Sequence, residues 1–284
     1  MSVKELSSQS TSLHAAEVAR GERFEFGKNW SRFLSLLNET RIVAAEQSLK
    51  RMLEVENLAG KKFLDAGSGS GLFSLAARRL GASVHSFDYD SNSVACTAEL
   101  KRRYFPADAS WHVEEASVLD EEYLKHLGTF DVVYSWGVLH HTGHMWDALN
   151  NVTNLVKPGG ILFVAIYNDQ GRKSQLWWKV KSWYCSGPFR RALVLSVFIP
   201  YFFSSALFAS FLRKENIFVS YKRLRGMSIV HDWFDWLGGF PFEVARADEI
   251  FRFYMDKGFV LSNLRTTHTL GNNQFVFVKK ADGD

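Results

Sequence analysis

Cysteine is scarce in this sequence of 284 residues, which contains only Cys96 and Cys185. Two cysteines cannot build a disulfide framework, and their spacing is not that of a metal-binding pair. A disulfide-stabilised secreted domain is therefore excluded, and a reducing cytoplasm is the expected location. Residues 1–18 contain no apolar run, so we expect no signal peptide. Internal repeats and long low-complexity tracts are also missing.

The overall composition is that of a globular protein, with 46% hydrophobic and 23% charged residues. The length allows one large domain, or a domain that carries a substantial insertion. Positive charge is concentrated in one segment. Residues 168–225 hold eleven basic and two acidic residues, a net charge of +9, which leaves −5 for the remainder of a chain whose total is +4. A basic segment on an acidic body indicates an anionic surface or ligand nearby.

From residue 61 onward, short apolar runs alternate with amphipathic stretches, which predicts strands alternating with helices. The pattern gives an α/β fold with a doubly wound, mostly parallel, seven-stranded, Rossmann-like sheet. The last two strands could form an antiparallel edge. The predicted divisions are an N-terminal helical cap, a core in two pieces and a helical insert after strand five, at residues 1–60, 61–167 with 245–284, and 168–244.

A turn rich in glycine, "FLDAGSGSG" at residues 63–71, follows the first predicted strand. A dinucleotide-binding turn has a third glycine where this chain has Leu72. Asp65 precedes the first glycine and would repel a pyrophosphate, but it could hold a cationic ammonium group. Asp88 ends the second strand, where a carboxylate can bind both hydroxyls of a ribose. These features indicate a nucleoside that carries an amino-acid tail and no phosphate.

Four motifs in order, "DAGSGSG", Asp88, "DVVYSWGVLHH" and "LVKPGG", resemble class I S-adenosylmethionine-dependent methyltransferases. The resemblance is greatest to the small-molecule branch that includes the ubiquinone-biosynthesis methyltransferases, and it covers about residues 20–167 and 245–280. It implies S-adenosylmethionine as cofactor, and transfer of its methyl group to a small-molecule or lipid-like acceptor.

The resemblance also implies cofactor-binding residues. The methionine part would be lined by Asp65, Gly67, Ser68, Gly69 and Gly71. Asp88 would bind the ribose, and Tyr89 would pack beside the adenine. The remaining expected contacts are Ser117 and Val118 after strand three, Ser135 and Trp136 at the end of strand four, and Trp30 and Arg41 over the cofactor and its carboxylate.

Two of these assignments have alternatives. Members of the family often have an acid where Ser117 stands, and a serine hydroxyl can also accept a hydrogen bond from the adenine amino group. Trp30 and Arg41 could equally belong to an ordinary capping helix.

Candidate catalytic bases occur in two places. His140 and His141 follow strand four at the edge of the sheet where ligands bind, and one of the pair is expected to be structural. His231 and Asp232 lie in the aromatic stretch "HDWFDWLGGFPFE", which we interpret as a lid that brings a base or substrate-binding groups to the site. The alternatives for that stretch are a structured loop and a metal site formed with Asp235. No metal is predicted.

The insert contains an uncharged apolar run at residues 192–212 between basic pairs. Its length approaches that of a membrane span, but the chain on both sides of it builds the same sheet, which argues against a crossing. Pro200 favours two short helices. The open alternatives are a lid, a homodimer interface, and peripheral membrane contact through residues 190–214. We expect the insert to be a lid over the carboxyl edge of the sheet.

Two rival functions remain. An RNA or protein methyltransferase could use the basic insert, but nucleic acid is not the favoured partner because the insert has an apolar centre and no RNA-binding motif. A non-catalytic S-adenosylmethionine-binding module is the other.

Overall fold

A computed structural model describes residues 13–27, 34, 37–218, 220 and 229–281. At its centre is a seven-stranded sheet in the order β3-β2-β1-β4-β5-β7-β6. Strands β1 to β5 are parallel, and β7 runs antiparallel to β5 and β6. The strands are β1 Lys62–Ala66, β2 Ser83–Asp88, β3 Trp111–Glu115, β4 Phe130–Trp136, β5 Val156–Tyr167, β6 Phe259–Arg265 and β7 Asn272–Lys279. The predicted fold class is confirmed.

Helices cover the sheet on both faces. In chain order they are α1 Glu39–Leu53, α2 Leu72–Arg79, α3 Ser91–Tyr104, α4 Glu121–Leu127, α5 Met145–Asn154, α6 Arg172–Cys185, α7 Pro188–Arg213, α8 Ile229–Gly238 and α9 Ala247–Met255. Residues 13–20 are also helical. Three of these helices begin at a side-chain cap, because Asn38, Asp90 and Asp120 each accept a hydrogen bond from a backbone amide of the first turn.

Two apolar cores hold the layers together, one on each face of the sheet. On one face Leu64 and Val164 pack with Leu149 and Tyr254. On the other, Phe63 packs with Leu49 and Leu75, and the fully buried Trp111 belongs to the same cluster. Because both faces are covered, the parallel strands are apolar runs. Since these strands are parallel, their carboxyl ends, where ligands bind, meet at one edge of the sheet.

The insert is helical, as predicted, but its long helix does not divide at Pro200. Helix α7 runs unbroken for 26 residues with Pro200 inside it. A proline removes one backbone donor and crowds the preceding turn. Phe198 and Phe202 on either side of it both contact the ring of Trp177, with centroids 5.3 and 6.3 Å away, and this shared packing keeps both halves in one helix.

Candidate active site

A cavity of about 380 Å³ lies at the carboxyl edge of the sheet. Ten residues singled out from the sequence line it: Asp65, Gly67, Ser68, Gly69, Asp88, Tyr89, Ser117, Val118, Trp136 and His141. They come from four neighbouring strand ends and the loops that follow them. Residues far apart in the chain are brought together because parallel strands end at the same edge.

The glycine turn combines a ligand-facing backbone with tight packing. Gly67 has φ 85°, and a Cβ there would lie 2.4 Å from a methyl group of Val138. Gly71 has φ 78°, and a Cβ there would lie 2.8 Å from the Cα of Thr97 on α3. The described lining of the cavity does not include Gly71, so the structure gives this glycine a packing contact. No residue other than glycine fits these two positions without strain.

A chain of hydrogen bonds orients Asp65 below the turn. The indole nitrogen of Trp111 donates to Ser86 at 2.9 Å, and the Ser86 hydroxyl donates to Ser74 at 2.8 Å. The Ser74 hydroxyl donates in turn to the carboxylate of Asp65 at 2.5 Å. Burial, together with the nearby Asp88, raises the pKa of Asp65 to about 7, although the hydrogen bonds from Ser74 lower it. This carboxylate is fixed in place, and no cation among the described residues compensates its charge.

Asp88 is held at the end of β2 by backbone amides. It accepts hydrogen bonds from the amide of Gly69 at 2.8 Å and from the amide of Asp90 at 2.9 Å. Burial raises its pKa to about 6 in spite of these bonds. Each carboxylate oxygen can accept a further hydrogen bond, which suits a pair of ribose hydroxyls.

Two further polar groups in the cavity wall have unmet hydrogen-bonding capacity. Among the described residues, the hydroxyl of Tyr134 and the side-chain oxygen of Asn272 are buried without a partner. Both residues line the cavity. Buried polar atoms are seldom left unpaired in folded proteins, so these two atoms indicate a polar ligand.

The N-terminal segment, residues 13–27, covers the cavity, and sequence reasoning missed its contacts. His14, Arg23, Phe24 and Phe26 belong to the cavity wall. The guanidinium of Arg23 donates to the carbonyl of His141 at 2.7 Å and lies 5.1 Å from the centroid of the Tyr89 ring. The residues around Arg23 carry no signal for this role, because Tyr89 and His141, which it contacts at the cavity, lie more than sixty residues further along the chain.

Gly27, the last described residue of the N-terminal segment, joins that segment to the core. Its amide donates to the carboxylate of Asp90 at 2.7 Å. A Cβ on Gly27 would lie 2.5 Å from the Cβ of Asn92, so the close approach requires glycine. The same Asp90 caps α3, which ties the N-terminal segment to the start of that helix.

His141 is the histidine of the pair that reaches the cavity. Its Nδ1 lies 2.6 Å from the carbonyl of Pro241 and donates to it, which leaves Nε2 as an acceptor. Burial lowers the pKa of His141 to about 3, so the ring is neutral near pH 7. His140 is fully buried, outside the cavity lining, with its ring centroid 4.0 Å from that of Tyr167. Burial lowers its pKa well below the usual range.

Several other expected site residues lie outside the described cavity wall. The buried Ser135 donates from its hydroxyl to the carbonyl of Ala66 at 2.8 Å, which joins β4 to β1. Arg41 lies in the first turns of α1. Asp232 lies on α8. Trp30 and the side chain of His231 fall outside the residues that the structure describes. Their predicted roles stay predictions.

The insert packs behind the cover of the cavity. No described residue of 168–244 lines the cavity, although its aromatic residues were expected directly over the cofactor. The amide of Phe24 donates to the carbonyl of Phe240 at 2.9 Å, and the ring of Phe24 contacts Tyr184 on α6. The insert therefore supports the N-terminal segment, which itself forms the wall. Glu243, in the same stretch, caps α5 by accepting from the amide of Met145.

A group of potential metal ligands, His85, His112 and Glu114, lies on β2 and β3 away from the cavity. Their ligand atoms fall within 4.8 Å of one another. His85 Nε2 and the carboxylate of Glu114 are 2.8 Å apart, and the hydroxyl of Tyr123 donates to the same carboxylate at 2.6 Å. These mutual contacts account for the group without an ion. Sequence reasoning missed this group because His85 and His112 meet only through strand register.

Comparison with known proteins decides the family. The profile of a family described as "Methyltransferase domain" matches residues 37–196, more than half of the chain. The chain belongs to this methyltransferase family. A ubiquinone biosynthesis O-methyltransferase of Shewanella sp. (strain ANA-3) is 27% identical over 172 residues, which cover 56% of this chain and 65% of the relative. The match thus spans less than two thirds of that relative. The resemblance drawn from the sequence is confirmed.

Solved structures agree on the fold of this methyltransferase-family protein. A magnesium protoporphyrin IX methyltransferase from Synechocystis PCC 6803, solved with bound SAH, superposes with a TM-score of 0.54 over 89% of this chain and 95% of that one, at 12% identity. A [4+2]-cyclase superposes with a TM-score of 0.51 over 84% of this chain and 81% of that one, also at 12% identity. Because such different reactions occur on one fold, the reaction has to be argued from the site.

Proposed function

We propose that this protein is an S-adenosylmethionine-dependent methyltransferase that acts on a small-molecule or lipid-like acceptor. The observation that carries the proposal is a pair of carboxylates that face one cavity, the buried Asp65 and the partly buried Asp88. Among the described lining residues the only lysine or arginine is Arg23, whose guanidinium already bonds Glu17 and two backbone carbonyls. Such a cavity disfavours phosphate and favours a ligand with positive charge and ribose hydroxyls.

The lining residues fit the parts of S-adenosylmethionine. Asp65 and the glycine turn would hold the amino-acid end, whose ammonium would supply the missing cation. Asp88 would bind the ribose, while Tyr89 and Val118 would pack against the adenine beside Ser117. The unpaired hydroxyl of Tyr134 and side-chain oxygen of Asn272 provide further polar contacts at the wall. The bound sulfonium would supply an electrophilic methyl group.

The chain's own part in catalysis is alignment, exclusion of water and proton removal. His141 is the proposed base, because its Nδ1–H is anchored on the Pro241 carbonyl and its Nε2 is left as an acceptor. Its low pKa suffices if the proton leaves as the attacking oxygen gives its electrons to the methyl group, since that O–H then becomes strongly acidic. Arg23, bound to the carbonyl of His141, would hold the N-terminal cover closed during the reaction. Phe24 and Phe26 would keep water out. His140, fully buried, would position Tyr167 and the neighbouring ring of His141.

Methyl transfer is the direct test. The full-length protein is incubated with S-adenosylmethionine labelled in its methyl group and a panel of phenolic acceptors with and without an isoprenoid tail. We expect label in an organic-soluble product and a strong loss of turnover in His141→Ala, with cofactor affinity retained. Label recovered in RNA or in protein would support the rival reading instead. Tight cofactor binding with no transfer to any acceptor would favour a non-catalytic module.

A further inference from the structure

The outer face of helix α7 is a stripe of apolar side chains exposed to solvent. Phe189 is 81% exposed and Phe211 is 79% exposed. Leu193, Val197, Tyr201 and Phe208 continue the stripe between them. These six residues follow the three- and four-residue spacing of one helical face. Only 11% of the most apolar 18-residue window of this helix is buried. A patch of this kind on a soluble protein marks an interaction site.

The opposite face of α7 is packed on the rest of the protein. Val194 and Ala206 are buried, and Phe202 contacts the ring of Trp233 on α8 at a centroid distance of 5.6 Å. Its neighbour Phe203 lies 5.5 Å from Phe218, beyond the end of the helix. The helix is thus apolar all round, but only one side of it has a partner in the part of the chain that the structure describes.

This packing determines how the helix can meet a membrane. By length and composition α7 could cross a bilayer, being 26 residues and about 39 Å long. A crossing would pull Phe202 away from Trp233 and would separate α8 from α6, where Lys181 donates to the carbonyl of Trp236. An orientation in the plane of the interface keeps every one of these contacts.

The charges around the stripe complement an anionic surface. Arg190 and Arg191 lie at one end of α7, and Arg213 and Lys214 lie at the other. Residues 170–218 contain a single acid, Glu215. Basic side chains next to a membrane surface are attracted to anionic lipid. A second copy of the chain would have to place these same charges against each other, which disfavours a dimer through this face.

A groove between α6 and α7 continues the stripe. It encloses about 700 Å³, and its walls include Trp178, Trp183, Leu193 and Val197, with Arg190 among them. The guanidinium of Arg190 lies 5.9 Å from the centroid of the Trp183 ring. Tryptophan and arginine side by side are typical of the layer between headgroups and acyl chains.

We propose that helix α7, with the exposed residues of α6, is a monotopic docking surface for a bilayer of anionic lipid. The outer stripe of α7 enters the acyl layer, the basic ends contact the phosphates, and the groove takes part of one lipid tail. This inference does not depend on the proposed methyl transfer. Under it, the acceptor can be a molecule that stays dissolved in the membrane.

Vesicle flotation of the full-length protein tests the surface. We expect flotation with vesicles of phosphatidylglycerol and phosphatidylcholine, little with phosphatidylcholine alone, and release by high salt or alkaline carbonate. The triple variant Phe189→Glu, Phe208→Glu, Phe211→Glu should lower partitioning by at least about tenfold. Because these side chains are exposed, its melting temperature and its affinity for S-adenosylhomocysteine should stay unchanged.

A control places two glutamates, in place of three, on another surface. Val260→Glu with Leu264→Glu alters two half-exposed apolar residues on the edge strand β6 and should leave flotation as it is. Equal flotation of the triple variant and the parent would overturn the proposal. So would retention after carbonate washing, which indicates a span, or a stable lipid-free dimer that shields the stripe and ignores vesicles. Capture by RNA with no vesicle binding would contradict it as well.

Discussion

Asp88 is the residue on which cofactor recognition depends most directly. Its carboxylate ends β2, faces the cavity and is oriented by the amides of Gly69 and Asp90. In Asp88→Asn the charge is lost and an NH2 group replaces one oxygen. That NH2 group faces a backbone N–H donor and cannot accept its hydrogen bond. We expect affinity for S-adenosylmethionine to fall by about 1.5–3 kcal/mol, as is usual for a lost charge-assisted hydrogen bond. Titration calorimetry measures it, with the exposed Asp248→Asn as control. Equal affinities would remove Asp88 from the site.

Lys181 makes a prediction about stability and pH. Its ammonium is fully buried beside Trp236, and burial lowers its pKa to about 7 from an ordinary value near 10.5. Between these two values the unfolded chain binds more protons than the folded one, so stability rises with pH from about 7 to about 10. Lys181→Met should remove that rise, while Lys179→Met, an exposed change on the same helix, should keep it. Thermal unfolding measured across this pH range tests the prediction. The same slope of stability against pH in all three proteins would contradict it.

Sequence reasoning found the residues that end strands and missed those that reach the site from afar. Asp65 and Asp88 could be predicted because each lies at the carboxyl end of an apolar strand. Arg23 could not, since its partners His141 and Tyr89 are set by how the N-terminal segment folds back. The choice between His140 and His141 also needed the structure, because their side chains differ in whether they face the cavity.

Among the elements, the N-terminal segment has the clearest coupling to the site. A Cβ at Gly27 would press against Asn92 and Asp90, so Gly27→Ala should detach the segment without disturbing the sheet. We expect weaker binding of S-adenosylhomocysteine and faster proteolysis within residues 13–27. Gly271→Ala is the control, because a Cβ there meets nothing closer than 3.4 Å.

The two covering elements should respond differently to ligand. The described cavity wall contains the N-terminal segment and none of the described insert, so S-adenosylhomocysteine should slow cleavage in residues 13–27 and leave cleavage between α6 and α8 unchanged. Protection of the insert by that ligand would restore the lid that the sequence suggested. That lid was inferred from where the insert leaves β5. The chain path alone could not reveal that residues 13–27, rather than the described part of the insert, line the cavity.

The insert also shows the limits of local rules for helices. Pro200 predicted a break, yet α7 continues through it, because tertiary contacts of Phe198 and Phe202 with Trp177 outweigh one lost backbone bond. The apolar content of the segment was evident from the sequence. Which face of it stays exposed depends on packing against α6 and α8, and only the structure gives that.

For the whole molecule, the order of strands and helices was predictable because each element has its own periodicity, and the carboxyl-edge site follows from the parallel sheet. We expect the reaction to need no metal ion. Turnover, once an acceptor is known, should survive EDTA, since the described His85, His112 and Glu114 pair with one another away from the cavity. Loss of activity in EDTA that a divalent ion restores would require a metal in the mechanism.

The central claim is that the cavity takes a cationic nucleoside with an amino-acid tail rather than a dinucleotide. Calorimetric titration of the full-length protein with S-adenosylmethionine and, separately, with NAD tests it most directly. We predict one site per chain for S-adenosylmethionine, with tighter binding at pH 8 than at pH 5.5 because ionised Asp65 and Asp88 pair best with a cation. NAD should bind far more weakly. Tighter binding of NAD, or none of S-adenosylmethionine, would contradict the account.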